Sequence, residues 1–158
     1  MSRSAGRPPI PGRSEYGRGT AAAVAWEDAE QRLRDARYYW LATTRPDGRP
    51  HTVPVWAVWE RGLLLFATSP STVTGRNLAH NPAVAAHPDG ARDVVLVEGR
   101  AERLSGQDAA SAAHAYEAKY GWRLDPTDAG MPFFALRPQV VLAWSAADVR
   151  GTAARWEW

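Results

Sequence analysis

The stretch from Tyr38 to Pro82 constrains the fold more than any other part of this sequence. Its apolar residues form two predicted strands on either side of Pro46-Asp47-Gly48, a triplet typical of a tight turn. Proline fixes φ in such a turn, and glycine accepts a positive φ. A third strand follows Glu60-Arg61-Gly62, and a short helix then ends at Asn81-Pro82. Hairpins at this spacing indicate antiparallel β-structure.

The rest of the chain continues this pattern of short strands with a few helices. The predicted helices are Thr20 to about Arg37, about Thr72 to His80, and Ser105 to Tyr120. The predicted strands are about Tyr39–Arg45, about Arg49–Trp59, Leu63–Thr68, Ala83–His87, about Asp93–Leu104, Phe133–Arg137, Gln139–Trp144 and a short one within Gly151–Trp158. Without a βαβ rhythm or repeats, this order predicts an antiparallel barrel.

Two positions predict irregularities in these strands. Pro54 lacks a backbone N–H, so it belongs on an edge strand or at a bulge. Glu98-Gly99 interrupts a buried run and predicts a bulge or a close approach of two backbones. Before the barrel, residues 1–19 contain Pro8, Pro9, Pro11 and four glycines. This composition predicts a flexible arm ahead of one domain formed by residues 20–158.

The polar segment Thr68–Asn77 is the strongest candidate for a binding site. It leaves a predicted strand and enters a predicted helix, whose first N–H groups are unpaired and carry partial positive charge. A phosphate would suit this position, with donors from Ser69, Ser71, Thr72, Thr74 and Arg76. The alternative is a capped helix with a polar first turn. The segment alone does not choose between the two.

Several other kinds of site are not supported. The chain has no cysteine, which excludes disulfides and thiolate chemistry, and a net charge of +2 does not indicate a nucleic-acid partner. Its four histidines are scattered and predict no metal site, and neither GxSxG nor GxGxxG occurs. The apolar runs are too short to cross a membrane. A cytoplasmic protein that binds a small molecule fits these features.

Five motifs together carry a resemblance to a known family. They are WLATTRPDGRPHTVPVW, FATS, GRNLAHNP, VVLVEGRAERL and PFFALRPQVVLAW followed by GTAARWEW, and they cover roughly Trp40 to the C-terminus. In this order they resemble the split-barrel flavin and deazaflavin oxidoreductases of the pyridoxamine 5′-phosphate oxidase-like superfamily. The resemblance implies a mainly β fold with flanking helices, namely a six-stranded antiparallel split β-barrel with Greek-key connections. It also implies a homodimer with cofactor sites at the subunit interface.

The resemblance also implies a cofactor, either the deazaflavin coenzyme F-420 or, as the alternative, FMN. Its implied ligands fall in three segments: Thr52, Val53, Pro54, Val55 and Trp56; Thr68, Ser69, Ser71, Thr72, Val73, Thr74, Arg76 and Asn77; and Arg155 and Trp156 from the other subunit. Relatives often carry Arg and Lys where this chain has Val73 and Thr74. On the residues alone, Trp56 is either a wall for the ring or a core aromatic, and Arg155 either binds an anion or forms a surface ion pair.

The implied reaction is hydride transfer between the deazaflavin and a small conjugated organic substrate. No catalytic side chain is assigned, because the coenzyme performs this chemistry and the protein orients it. His51, Tyr120 and Arg155 are the candidate proton donors. The alternatives are an FMN-dependent oxidoreductase of the same fold and a non-catalytic protein that binds a flavin or a haem-type ligand.

Overall fold

A computed structural model describes residues 10–11 and 23–158 of the chain. The predicted N-terminal arm and Thr20 fall almost entirely outside these residues. In chain order the elements are β1 (Ile10–Pro11), α1 (Trp26–Asp35), β2 (Tyr39–Thr44), β3 (Pro50–Val55), β4 (Ala57–Glu60), β5 (Leu63–Ala67), α2 (Val73–His80), β6 (Ala83–Pro88), β7 (Asp93–Arg103), α3 (Gly106–Tyr120), β8 (Phe133–Ser145), α4 (Val149–Thr152) and β9 (Ala154–Glu157).

All strand pairs are antiparallel, and the strands form one curled sheet. Its main order is β1-β9-β8-β7-β6-β2-β3, while β5 joins β8 and β4 joins β5. Strand β8 therefore has two successive neighbours on one side, because Phe133–Leu136 pairs with β5 and Val140–Ala143 pairs with β9. Strands β5 and β6 follow each other in the chain but are not paired, as Greek-key connections require. The predicted split β-barrel with flanking helices is confirmed.

The sheet has nine strands among the described residues, compared with the six that the resemblance implies. The predicted strand Arg49–Trp59 is divided at Trp56 into β3 and β4, whereas two predicted strands on either side of Pro138 form the single strand β8. The short strands β1 and β9 add a further pair at the edge. At the opposite end of the main order, β3 pairs with β2 and carries Pro54, as expected for a proline on an edge strand.

The predicted irregularity in β7 is a β-bulge between Glu98 and Gly99. Gly99 lies opposite Pro138, and a Cβ placed on it would be 2.0 Å from the carbonyl oxygen of Arg137. Only glycine leaves room for the two longest strands to approach this closely. The bulge thus allows β8 to continue past its proline as one strand.

Two apolar clusters stabilise the barrel. The larger one includes Leu33 of α1 with Tyr39, Phe66 and Val97 from the sheet, all buried. The smaller one packs Tyr116 and neighbouring alanines of α3 against β8. Burial of these side chains supplies the main free energy that opposes unfolding. None of the helices in residues 10–11 and 23–158 is long and apolar enough to cross a membrane.

The helix boundaries differ from the predictions mainly at the N-terminal ends. Helix α1 begins at Trp26, after Ala25, which provides no side-chain cap. Helix α3 begins after Ser105, whose side chain makes no capping hydrogen bond. Its C-terminal end is as predicted, because Gly121 takes a left-handed conformation there with φ of 68°.

Candidate functional site

A cleft of about 450 Å³ lies between the ends of β3 and β5, the start of α2 and one face of α3. Its lining is mostly apolar, with hydroxyl groups at the α2 end. The lining residues are His51, Val53, Pro54, Val55, Trp56, Ala67, Thr68, Ser69, Thr72, Val73, Thr74, Tyr116 and Met131. An apolar cleft with a few polar groups at one end is typical of a small-molecule site.

The loop before α2 forms the hydroxyl end of this cleft. Thr72 caps the helix, since its Oγ1 accepts a hydrogen bond of 2.9 Å from the Gly75 N–H. The same Oγ1 lies 2.8 Å from the carbonyl oxygen of Ser69 and 3.0 Å from Oγ1 of Thr68. These contacts order the loop, and the helix start adds its partial positive charge beside the hydroxyls.

Gly75 fixes the shape of this loop. A Cβ on Gly75 would lie 2.2 Å from the Ser69 carbonyl oxygen and 2.8 Å from Cα of Pro70, so the loop folds directly onto the helix. Both neighbouring atoms belong to the backbone and cannot turn aside as a flexible side chain would. The close contact keeps Ser69 and Thr72 at the cleft wall.

Positive charge near the cleft comes from Arg45, just after β2, rather than from α2. Val73 and Thr74 are neutral, and the guanidinium of Arg76 donates a hydrogen bond to the Ser71 carbonyl on the exposed side of the helix. His51 lines the cleft, and Nη2 of Arg45 lies 3.5 Å from its Nδ1. Because Arg45 can only donate, this contact favours the tautomer with the proton on Nε2 of His51.

Aromatic rings form another part of the cleft wall. The side chain of Trp56 is 42% exposed, which excludes a core role. Its indole stacks on the Tyr120 ring with centroids 4.8 Å apart and planes at 22°, and Tyr116 lies 6.4 Å away. Such offset stacking holds the ring in one orientation.

The C-terminal end of α3 binds the backbone next to Trp56. The Tyr120 hydroxyl accepts a 2.9 Å hydrogen bond from the Ala57 N–H and lies 2.6 Å from the Arg37 carbonyl oxygen. Lys119 Nζ donates to the carbonyls of Ala36 and Ala57 at 2.5 and 2.8 Å. Burial raises the pKa of Tyr120 to about 12, so this hydroxyl stays protonated at neutral pH.

Lys119 makes the stability of the protein depend on pH. Burial, with a smaller contribution from Arg37, lowers its pKa from 10.5 to about 8 in the folded protein. Between these values the unfolded chain binds more protons, so the free energy of unfolding rises with pH. Below about pH 8 Lys119 is protonated in both the folded and the unfolded state, so its buried charge lowers the free energy of unfolding by the full amount.

We therefore expect the free energy of unfolding of the wild type to rise relative to that of Lys119→Met as pH increases above about 8. Urea unfolding of both proteins at several pH values would measure this change. The pH values stay below 10 because tyrosines of the unfolded chain titrate near pH 10. The variant also loses the two hydrogen bonds that Lys119 donates. This loss is the same at each pH, so it does not change the slope of the stability difference against pH. Parallel pH profiles for the two proteins would contradict the expectation.

The cleft brings together nine of the predicted site residues, from two of the three predicted segments. They are Val53, Pro54, Val55, Trp56, Thr68, Ser69, Thr72, Val73 and Thr74. Thr52 and Ser71 are exposed beside the cleft and do not line it. Asn77 is only 2% exposed, and its Nδ2 donates to Oγ1 of Thr43 at 2.9 Å, which ties α2 to the sheet.

The C-terminal segment lies away from this cleft within the chain. Arg155 Nη1 is 2.5 Å from Oε1 of Glu157. Trp156 is 5% exposed and packs edge-on against Trp26 with centroids 5.2 Å apart. The indole of Trp156 is thus part of the chain's own core, and little of its surface is free to contact another subunit.

Besides His51 and the nine predicted site residues, the lining includes Ala67, Tyr116 and Met131. Ala67 ends a strand that was predicted, so its position follows from the strand boundary. Tyr116 lies in the apolar stripe of α3, where its spacing indicated packing against the sheet and gave no sign of a cleft. Met131 follows a loop with no periodicity.

Comparisons with known proteins agree with this geometry. The family model described as pyridoxamine 5′-phosphate oxidase matches residues 25–145. A haem-binding protein from Mycobacterium smegmatis is similar in structure, with 24% identity and a TM-score of 0.66. The match covers 80% of this chain, which spans only 55% of that protein's length. No curated protein matches the chain.

Two further solved structures are similar. An F-420 reductase has 29% identity and a TM-score of 0.58, over 71% of this chain and 94% of that one. A pyridoxamine 5′-phosphate oxidase-related, FMN-binding protein from Nostoc punctiforme has 20% identity and a TM-score of 0.57, over 77% of this chain and 82% of that one.

Proposed function

Because this chain belongs to the pyridoxamine 5′-phosphate oxidase family, we propose that its cleft binds a phosphate-bearing flavin-type cofactor and that the protein is an oxidoreductase. The observation that carries the proposal is the composition of the cleft. One end has the hydroxyls and helix start at Ser69–Thr72, and an apolar wall runs along Val53–Val55. The first suits a phosphate, and the second suits a planar ring.

The donor set fits an anionic group held mainly by neutral donors. At the α2 end these are the Ser69 hydroxyl and the first N–H groups of the helix, because the Thr72 hydroxyl already donates to the Ser69 carbonyl. Arg45 adds positive charge beside His51, from the turn that follows β2. Neutral donors bind an anion less strongly than charged ones, so we expect a weaker phosphate site than one with Arg and Lys on the helix.

We propose the deazaflavin coenzyme F-420 as the cofactor and FMN as the alternative. The similarity to an F-420 reductase at 29% identity supports the first, and the FMN-binding relative supports the second. When bound, such a cofactor supplies hydride transfer, here to a small conjugated organic substrate. The protein would orient the ring along Val53–Val55 and exclude water.

Of the three candidate proton donors, His51 has the placement that suits the role best. It lines the cleft, and its Nε2–H is available once Arg45 occupies Nδ1. The Tyr120 hydroxyl is engaged by the backbone of Arg37 and Ala57, and Arg155 is paired with Glu157. We propose that His51 supplies the proton to the reduced substrate.

Titration of the purified protein with F-420, FMN, riboflavin and haem tests the proposal, with absorbance and calorimetry as readouts. We expect F-420 or FMN to bind, and riboflavin to bind more weakly than FMN because it lacks the phosphate. Equal affinity for riboflavin and FMN would contradict the phosphate site. Binding of haem alone, with a Soret band, would favour the non-catalytic alternative that the haem-binding neighbour suggests.

The substitution Val73→Arg should strengthen the phosphate site. Val73 lines the cleft at the first turn of α2 and is half-buried, so an arginine there can reach an anion in the cleft. A hydrogen bond to a charged group contributes about 1.5–3 kcal/mol, or roughly a tenfold to hundredfold gain in FMN affinity. Calorimetry would measure it.

The matched control is Ala79→Arg, which places the same charge on the exposed side of the same helix. It should change FMN affinity little, because its guanidinium points away from the cleft and is screened by salt. Equal gains from the two variants would mean that only net charge matters, and the phosphate would then lie elsewhere.

We also propose a homodimer with two cofactor sites at its interface, as the family resemblance implies. The half-exposed rings of Tyr38 and Trp40 would be covered by a second subunit. Sedimentation at micromolar concentration should therefore give twice the 17.3 kDa mass of the chain. A monomer under these conditions would contradict a shared site.

A further inference from the structure

Trp56 occupies an unusual position in the sheet. Strand β3 ends at Val55 and β4 begins at Ala57, so Trp56 is the single residue in the break between them. Its indole is 42% exposed although it is among the largest apolar side chains. A tryptophan left half in solvent at the wall of a cleft indicates a binding role more than a packing role.

The Tyr120 side chain fixes the orientation of the exposed Trp56 ring. The Tyr120 ring stacks on the indole at 4.8 Å and Tyr38 lies 6.3 Å from it, while the indole also lines the cleft. The Tyr120 ring is itself fixed, because its hydroxyl contacts the Ala57 N–H and the Arg37 carbonyl. The Tyr120 side chain thus positions both the Trp56 indole and the backbone of Ala57.

Lys119 also binds the backbone at the break between β3 and β4. Its Nζ donates to the Ala57 carbonyl, so both polar backbone groups of the residue after Trp56 are bound by the end of α3. The ammonium also lies 5.3 Å from the Tyr120 ring centroid, within the range of a cation–π contact. The chain's only lysine therefore supports the tyrosine that backs the indole.

The chemistry of this end of the cleft selects a class of ligand. Val55, Tyr116 and Met131 are uncharged and line the cleft together with the indole. A flat, uncharged ring can stack on the open surface, whereas an aliphatic group of similar polarity cannot use the π face. The backbone of β3 remains for the cofactor, and Trp56 stands beyond the end of that strand.

We propose that Trp56 is a specificity-determining residue that binds the aromatic part of a planar conjugated substrate, and that Tyr120 and Lys119 are its positioning residues. This inference deepens the proposed function and rests on it for the cofactor beside the substrate. It assigns the substrate class: conjugated carbonyl compounds that carry an aryl ring.

Two enones that differ only in one group test the proposal. In 4-phenyl-3-buten-2-one a phenyl ring replaces a methyl group of 3-penten-2-one, and the conjugated carbonyl is the same. Binding of each to the full chain is measured by calorimetry, with and without the cofactor that the titration above identifies. We expect the wild type to prefer the phenyl compound by roughly tenfold, equal to about 1.4 kcal/mol.

The variants separate stacking from general apolarity. Trp56→Leu keeps an apolar side chain but no ring, and should bring the two affinities to within about twofold. Trp56→Phe should retain most of the preference. Tyr120→Phe keeps the stacked ring and loses the contacts to Ala57, so it should reduce the preference while the fold, checked by circular dichroism, is unchanged. Trp122→Leu, at a tryptophan that is 60% exposed and outside the cleft lining, is the matched control and should change nothing.

Three results would overturn the inference: no phenyl preference in the wild type, an undiminished preference in Trp56→Leu, or a loss confined to cofactor affinity. The last would mean that the cofactor's own ring stacks on the indole. Failure of this inference can be distinguished from failure of the proposed function. If no flavin-type cofactor binds but the phenyl preference persists and depends on Trp56, the inference holds for the cleft and the cofactor proposal fails.

Discussion

Replacing Gly75 with alanine is expected to destabilise the protein and to weaken binding of a phosphate-bearing cofactor. The new Cβ would lie 2.2 Å from the Ser69 carbonyl oxygen, far inside contact distance. Because the opposing atoms are backbone, the loop must move away from the helix. Overpacking of this kind costs about 1–3 kcal/mol of folding free energy.

The same displacement should reach the cleft. Ser69 and Thr72 belong to the loop that must move, and both line the cleft. Loss of about one well-placed charged hydrogen bond would lower FMN affinity roughly tenfold to hundredfold. Riboflavin affinity should fall less, because it has no phosphate to place at this loop.

Gly130→Ala is the matched control for Gly75→Ala. The nearest atom to a Cβ on Gly130 is Oδ1 of the Asp128 side chain at 3.1 Å, which can rotate away. Its urea midpoint and its FMN affinity should stay close to those of the wild type. If Gly75→Ala keeps full FMN affinity while its stability falls, the loop is a structural cap and the phosphate site lies elsewhere.

The second large effect is expected for Trp156→Ala. The indole is 5% exposed and packs against Trp26 on the first helix, so its removal leaves a cavity in the main core. Truncation of a buried tryptophan costs about 3–5 kcal/mol. Thermal and urea unfolding should both show a loss that is large compared with the usual total of about 5–15 kcal/mol.

Trp158→Ala provides the comparison. Trp158 also contacts Trp26, with centroids 5.3 Å apart, but it is 45% exposed and outside the core cluster. Its truncation should cost far less than that of Trp156. The family resemblance implies a role for Trp156 in the partner's site. If folded Trp156→Ala lost cofactor affinity with little loss of stability, that role would be supported and the structural one refuted.

Much of the barrel could be predicted because its determinants are local. The turn at Pro46–Gly48, the helix over Thr72–His80 and the bulge at Glu98-Gly99 each depend on residues adjacent in sequence. The two halves of the cleft were predicted for the same reason, since each is a continuous segment. Apolar alternation and helix capping are properties of short windows.

The parts that were not predicted depend on contacts between distant segments. The break at Trp56 is held by hydrogen bonds from Lys119 and Tyr120, more than 60 residues later in the chain. Likewise, Trp156 is buried because β9 pairs with β8 and places its indole against α1. An apolar residue near a chain end suits a partner's surface and its own core equally well. Only tertiary packing decides between them.

Strand β8 has a consequence for how the protein is made. The chain completes β5 at Ala67 and can pair it with β4 at once, but its second neighbour, β8, begins only at Phe133. At a synthesis rate of roughly 5–20 residues per second, the edge of β5 waits about 3–13 seconds for its neighbour. During this time an almost wholly apolar strand is exposed to other nascent chains, which is a risk for aggregation. The yield of soluble protein in a cell should therefore be limited by the delay before β8 emerges, and not by the stability of the finished barrel.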